Sequence, residues 1–444
     1  MLPQGWVEAD IGELCNLVNG KAFKPSEWSK TGLPIIRIQN LNNSQALYNY
    51  YDREIPDKFL VNRGDLLFAW SGTPGTSFGA HLWMGQKAIL NQHIFKIIFN
   101  KLDIDKNYFK IAINSTLHEL IGKAHGGVGL AHVTKGKFET TKLPLPPLAE
   151  QRRIVAKLDS LTARIARARA ELERAKRLQK QLLSKFLDSE FSCDGELLRL
   201  GELAEDVRYG TAQKCDYNPA LTPVLRIPNI ASGNIDTSDL KHSTFTEKEI
   251  KKLSLCNGDL LIVRSNGSVD LVGQSAVADT RVSGFLFAGY LMRIRLKNKD
   301  VTPYFVHYWL RSPQARSVIN AAAKSTSGVN NINSEQLKNL QIKIPSLSKQ
   351  RIIVSRVIKA FSHTDRLETE AQRALALLDR LESSLLAKAF RGELVPQDPN
   401  DEPASVLLNR IRAERAADTK PKRGRKQPTQ DMSLPRKRQT EKHD

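Results

Sequence analysis

The feature that most constrains this chain is that it contains itself twice. Leu33-Pro34-Ile35-Ile36-Arg37-Ile38-Gln39-Asn40-Leu41 returns as Thr222-Pro223-Val224-Leu225-Arg226-Ile227-Pro228-Asn229-Ile230. Asn62-Arg63-Gly64-Asp65-Leu66-Leu67-Phe68 returns as Cys256-Asn257-Gly258-Asp259-Leu260-Leu261-Ile262, and Leu145–Val155 returns as Ile344–Val354. Leu182-Leu183-Ser184-Lys185 answers Leu385-Leu386-Ala387-Lys388. Four collinear matches exclude coincidence. A unit of roughly 200 residues is too long for a solenoid repeat, so each copy is a domain with an appended element.

Each copy opens with a globular part, residues 1–146 and 195–345. Short apolar runs bounded by Gly, Pro and Asn (Pro34–Ile38, Leu66–Trp70, Ile94–Phe99, Leu260–Val263 and Tyr290–Leu296) predict strands. The Gly64-Asp65 and Gly258-Asp259 pairs predict turns into the Leu-Leu strands. Helices are predicted over Asp105–Ile121 and Thr302–Ala323. The expected class is α+β, mixed α/β within each globular part.

Each copy closes with a long helix, expected over 147–191 and 346–394. In the first, Ile154, Leu158, Leu161, Ile165, Ala168, Leu172, Ala175, Gln179, Leu182 and Phe186 alternate steps of four and three. Ile353, Val357, Ala360, Thr364, Leu367, Ala371, Ala374, Leu378, Leu381 and Leu385 do the same in the second. Such a seam is that of a coiled coil. A lone helix would expose it to water, so the two helices are expected to pair, antiparallel. Leu158, Ile165, Leu172, Leu182, Val357, Leu367, Leu378 and Leu385 are the expected pairing residues. A short helical region (395–418) and a Pro-, Lys- and Arg-rich tail (419–444), expected to be disordered, complete the chain.

The net charge of +20 argues for a polyanionic partner, nucleic acid before membrane. It is unevenly placed. Gln151–Phe186 carries eleven basic and three acidic residues, and the tail from Thr419 nine and three, whereas Gln350–Phe390 is nearly balanced. The basic residues of the first helix, among them Arg152, Arg153, Arg164, Arg167, Arg169, Arg174 and Arg177, suit a DNA path, an acidic protein partner or a solvated flank. Pro421-Lys422-Arg423-Gly424-Arg425-Lys426 is similar to a minor-groove Arg-Gly-Arg hook. Four scattered cysteines form no CxxC pair, which disfavours a zinc site and suggests a reducing compartment. The Met1–Trp6 opening has no charged-then-apolar signal pattern, so a soluble cytoplasmic protein is expected.

Two unlike α/β domains, each followed by a similar long helix, resemble the specificity (S) subunit of type I restriction–modification enzymes, over the chain to about residue 418. The resemblance is carried by Leu2-Pro3-Gln4-Gly5-Trp6 and the junctions Pro146–Gln151 and Pro345–Gln350. It is carried also by the ending Leu386-Ala387-Lys388-Ala389-Phe390-Arg391-Gly392-Glu393-Leu394. It implies two target-recognition domains, each reading half of a bipartite, gapped DNA target, with paired helices setting the gap. It implies docking to two methyltransferase (M) and two restriction (R) subunits. It implies that S-adenosylmethionine, ATP and Mg²⁺ are bound by those partners, and no cofactor or metal is expected on this chain. A helix from Ile154 to Phe186 is roughly 50 Å long at 1.5 Å per residue, against about 34–36 Å for a DNA turn.

Base readout needs polar or cationic side chains on loops that enter a groove. In the first copy the Trp70–Gly79 loop offers Trp70, Ser71, Thr73 and Thr76, and the Lys123–His132 loop offers Lys123, His125 and His132. In the second, Arg264, Ser265, Asn266 and Ser268 correspond to the former, and Lys324, Ser327, Asn330 and Asn331 to the latter. Arg37 and Arg226 recur in both copies, which suits scaffolding or phosphate contact better than specificity.

Catalytic motifs are missing. Asn218-Pro219-Ala220 lacks the second proline and aromatic of an adenine-methyltransferase motif. Nothing acidic follows Pro56-Asp57 between Leu66 and Leu102 to complete a nuclease motif. There is no GxxxxGK[ST] loop, and His93, His125 and His132 lack metalloprotease spacing. The alternatives are a coiled-coil DNA-binding adaptor without sequence specificity, and a self-contained methyltransferase or nuclease with a cryptic site.

Overall fold

The computed structural model describes residues 2–43, 45–72, 76–99, 104–117, 131–297, 299–323 and 328–418. The chain divides into two compact units. One joins Met1–Ala166 to Asp379–Asp444, and the other is Arg167–Leu378.

In the first unit an antiparallel sheet runs Asn16–Asn19, Ile94–Ile98, Leu66–Ala69, Gly79–Leu82. A second sheet runs Asn49–Tyr51, Leu33–Ile36, Ala88–Leu90, Leu60–Val61, with Leu33–Ile36 parallel to Ala88–Leu90. The second unit repeats the plan. Ala204–Tyr209, Leu291–Leu296, Leu260–Val263 and Ser275–Val277 form one sheet, and Lys241–Ser243, Thr222–Leu225 and Leu286–Phe287 the other.

The continuous Leu66-Leu67-Phe68-Ala69 run is buried on both faces. Leu66 and Phe68 enter the core shared with the helices, and Leu67 enters a separate core with Ile36, Val61 and Leu90. Leu260 and Ile262 split from Leu261 and Val263 in the same way. Strand alternation thus serves two apolar faces, which is why the run shows no polar gaps.

The Gly-Asp pairs are turns, as expected. Gly64 and Gly258 have φ of 87° and 93°, where glycine is at ease. The following carboxylates close the turns, Asp65 accepting from Asn62 N at 2.8 Å and Asp259 from Cys256 N at 2.7 Å. Thr302–Ala323 is two helices, Pro303–Leu310 and Pro313–Ala323, rather than one. Pro313 cannot continue a preceding helix, and it opens the next. The other expected helix spans Lys106–Ser115, capped by the Asp105 side chain, and the end expected at Ile121 lies outside the described residues.

The long helices are Leu148–Phe191 and Leu347–Phe390, 44 residues each. Each is pinned at its start by a fully buried glutamine. Gln151 donates to Pro146 O at 2.9 Å and accepts from Asp105 N at 3.0 Å. Gln350 donates to Pro345 O and Asp300 O, and accepts from Thr302 N at 2.9 Å. The helices run antiparallel. In the second unit Gln179 Nε2 donates to Thr364 O at 2.8 Å and Glu190 pairs with Arg356 at 3.3 Å. In the first unit Ile154, Val155 and Leu158 share a core with Leu385 and Ala389.

The seam departs from the expected heptads. Ala168, Leu172 and Lys176 are inward by two successive steps of four, then Gln179, Leu183 and Leu187 follow. Leu182 is therefore 68% exposed. The extra step rotates Leu187 and Phe191 into the second unit's core, where Phe191 lies 5.3 Å from Phe305. Leu367 is 43% exposed, within an exposed stretch flanked by half-buried Thr364 and Ala371. Leu158, Ile165 and Val357 are buried, and Leu172, Leu378 and Leu385 half-buried.

The opening and closing segments meet in the first unit. Trp6 Nε1 donates to the buried Glu150 carboxylate at 2.9 Å, Arg153 pairs with Asp401 at 2.6 Å, and Ala404 N donates to Gly5 O. Burial raises the Glu150 pKa above its usual range. No helix among the described residues is long and apolar enough to cross a membrane.

Candidate nucleic-acid interface

In each unit the structure brings together the two loops that the sequence singles out. In the first, Ser71–Gly72 pairs antiparallel with Ala131–His132, Ser71 opposite His132 and Gly72 opposite Ala131. In the second, Ser265–Asn266 pairs with Asn330–Asn331, Ser265 opposite Asn331 and Asn266 opposite Asn330. The ladders continue in the same way on their inner side. Val133 N donates to Trp70 O at 3.1 Å, and Ile332 N to Arg264 O at 2.9 Å. Trp70 and Arg264 thus occupy one structural position, directly after the buried central strand of each unit.

What stands on this common frame differs. In the first unit the half-buried Trp70 ring stacks on Phe95 at 5.8 Å and lies 5.3 Å from His93, so it packs toward the core. Gly72 has φ of 147°, and a Cβ there would meet the Ser77 side chain, so close packing keeps it glycine. Ser71 is half-buried and Thr76 exposed. Thr73, Lys123 and His125 lie outside the described residues, and His132 is placed by its backbone alone.

In the second unit Arg264 is half-exposed. Its guanidinium lies over the Tyr209 ring at 4.5 Å, and its Nε donates to Asn331 Oδ1 at 3.4 Å. Tyr209 is held in turn, its hydroxyl accepting from Ser334 N at 2.9 Å. Asn330 Nδ2 donates to Gly267 O at 2.9 Å, tying the two segments together, and Asn266 Oδ1 accepts from Ser268 N. Asn331 and Ser268 are exposed. Lys324 and Ser327 lie outside the described residues. Such an arrangement presents a planar cation, held by stacking, beside amide and hydroxyl groups, which is the chemistry that recognises guanine and adenine edges.

Two residues that sequence reasoning missed belong here. Tyr209, 40% exposed, and Tyr290, 65% exposed, flank Arg264, and Tyr290 O accepts from Arg264 N at 2.9 Å. Each is a lone tyrosine at a strand end, and only the fold sets it beside the loops.

The recurring arginines stand elsewhere. Arg226 donates to the Asp239 carboxylate at 2.8 Å and to its carbonyl at 3.0 Å. Arg37 lies over Trp28 at 5.7 Å. The repeated asparagine three residues on is the local organiser. Asn40 and Asn229 each accept from the arginine backbone N–H and donate to carbonyls across the following loop. That requirement explains the repetition of Arg-Ile-x-Asn without any ligand. On the first long helix, Arg153 is engaged by Asp401 and Arg174 lies 3.8 Å from Glu171, while Arg152, Arg164 and Arg177 are exposed.

Among the described residues no cluster of His, Cys, Asp or Glu is placed to hold a metal ion. A family described as the type I restriction modification DNA specificity domain matches this chain twice, over residues 3–177 and 194–376. The chain belongs to that family. Among its relatives, the type I restriction enzyme EcoBI specificity subunit of Escherichia coli is 30% identical, over 95% of this chain and 94% of that protein. The EcoKI specificity subunit of Escherichia coli strain K12 is 28% identical, over 96% and 98%. A chain from a structural study of complex assembly and conformational transition in the type I R-M system shares the fold. It has a TM-score of 0.71 at 23% identity, covering 89% of this chain and 100% of that one.

Proposed function

We propose that each unit reads one half of a bipartite, gapped DNA target, and that the chain acts as the non-catalytic specificity subunit of a type I restriction–modification complex. One observation carries the reading. The same pair of loops is laced together at the same place in both units, while the side chains on it differ. A scaffold repeated with a changed surface is what two readers of unlike half-sites require. Arg264, Ser265, Asn266, Ser268, Asn330 and Asn331 read for the second unit, joined by Tyr209 and Tyr290. Ser71, Thr76 and His132, with Thr73, Lys123 and His125, read for the first. Lys324 and Ser327 complete the second set. Arg37 and Arg226 shape the loops beneath.

The helical connection sets the number of base pairs between half-sites, and two M and two R subunits assemble on the chain in the cytoplasm. The M subunits bring S-adenosylmethionine, and the R subunits ATP and Mg²⁺. The test is to co-express the chain with its methyltransferase partner and map methylated adenines across a genome. A gapped bipartite motif is expected. An absence of any preferred motif would favour a non-specific adaptor.

A further inference from the structure

The two units differ at a further matched place, away from the loops. In the first, the Ala404–Asp418 helix lies on the Val7–Asp10 strand and the short Ile11–Leu14 helix. Its Leu407, Leu408 and Ile411 are buried in that unit's core. Arg412 pairs with Glu13 at 2.8 Å, and Arg415 donates to Gly12 O and, at 2.9 Å, to Asn16 Oδ1. Ala9 and Cys15 beneath are 2% and 3% exposed. Burial pushes the Cys15 thiol up to about 12, against the lowering pull of nearby Arg415.

The second unit builds the same receiving surface. The Glu196–Arg199 strand pairs with Gln341–Ile344 as Val7–Asp10 pairs with Lys142–Leu145. Leu200-Gly201-Glu202-Leu203 stands where Ile11-Gly12-Glu13-Leu14 stands, and a Cβ on either glycine would meet the same neighbour, Lys338 or Glu139. Leu198 and Ala204 take the places of Ala9 and Cys15, and Glu205 that of Asn16. No helix covers this surface among the described residues. Leu198 and Ala204 are half-exposed, Leu197 is 56% exposed, and Glu202 and Glu205 are exposed.

We propose that this face of the second unit docks a basic amphipathic helix from a partner subunit. The occupant presents leucine-like residues one turn apart and two cationic side chains three residues apart, as Arg412 and Arg415 are. Charge complementarity favours it: exposed Glu202 answers Glu13, Glu205 adds a carboxylate at the place of Asn16, and Lys338, which stands at the place of Glu139, is already paired with Glu335 at 3.1 Å. This chain's own helix of that kind is already seated in the first unit. A second copy would have to withdraw that helix from its core, so the occupant is a different protein. Identifying it as the methyltransferase subunit rests on the function proposed above.

The probe is a fluorescent peptide spanning residues 402–418, titrated into the full chain by anisotropy. Saturable one-site binding is expected, weakened about tenfold or more by the Glu202→Gln/Glu205→Lys double variant and displaced by purified methyltransferase subunit. Glu202→Gln keeps an oxygen to accept from Arg199 N, as Glu202 does at 2.6 Å. If the double variant melts early, Glu205→Lys alone, a change at an exposed position, is read instead. No saturable binding, or binding indifferent to these changes, overturns the docking face. Binding that the methyltransferase does not displace overturns the partner. Failure of the DNA reading is seen separately, as loss of a methylation motif in the unmodified complex.

Discussion

Arg264 is the residue whose removal tests the reading of DNA most sharply. Its guanidinium is held over Tyr209 at 4.5 Å with Nε toward Asn331, leaving the two terminal nitrogens for a base edge. A bidentate contact to guanine contributes about 1–3 kcal/mol of discrimination, roughly 5- to 150-fold in affinity. Because the side chain is stacked before DNA arrives, little rotamer entropy is lost on binding, so the upper half of that range is expected. The assay is fluorescence anisotropy of the methyltransferase-bound complex on target DNA and on DNA altered in one half-site, at two salt concentrations. Arg264→Ala should weaken target binding by that factor and bring target and altered DNA closer together. Arg264→Lys should recover little, since it keeps the charge and loses the planar fork. A mere phosphate contact would instead be largely rescued by lysine, and its loss would lower the salt slope by about one. Rescue by lysine, or unchanged discrimination in Arg264→Ala, would refute base reading by this residue.

Three further outcomes follow from the packing. Gln350→Ala takes away the side-chain partner of the Thr302 N–H and of the Pro345 carbonyl, at about 1–3 kcal/mol for each buried group left unsatisfied; Gln151→Ala does so for the Asp105 N–H and the Pro146 carbonyl, and chemical denaturation should show each loss. His307 is buried with Ser275 Oγ 2.9 Å from its Nδ1, and burial first, then the charge of Arg311, lowers its pKa to about 3. The unfolded chain takes up that proton near pH 6.5 and the folded unit does not. The stability contribution is therefore complete above pH 6.5 and is lost as pH falls toward 3, at up to about 1.4 kcal/mol per unit; His307→Gln should flatten this slope, and an unchanged slope would assign it elsewhere. Inserting four residues into the first long helix between Ala168 and Leu172 should change the number of base pairs between half-sites in the methylation map, and an unchanged gap would contradict a spacing role for the helix.

What the residues disclose unaided follows from the range of the interactions involved. The Gly-Asp turns and the long helices rest on neighbours a few positions apart, and the duplication on matching strings that need no folding to be compared, so all three are legible. The two-residue ladder joining Ser71–Gly72 to Ala131–His132 is set by chain segments about sixty residues apart, so the loops can be named but not joined. Leu182 and Leu183 are equally apolar, so a heptad count cannot tell which faces inward. The demand that Leu187 and Phe191 enter a core decides it for Leu183. Tyr209 and Tyr290 have no local motif, and only the sheet order brings them to Arg264. The repeated Arg-Ile-x-Asn reads as scaffold or phosphate contact, and the fold decides for scaffold, because its asparagine is occupied in holding the loop.

The central claim is that each unit reads one half-site independently. It is tested most directly by replacing residues 264–269 and 328–332 with those of a relative of different specificity, then mapping methylated adenines with the methyltransferase partner. A change confined to one half of the motif, with the other half and the gap retained, is the predicted result. An unchanged motif, or a change in both halves together, would contradict it.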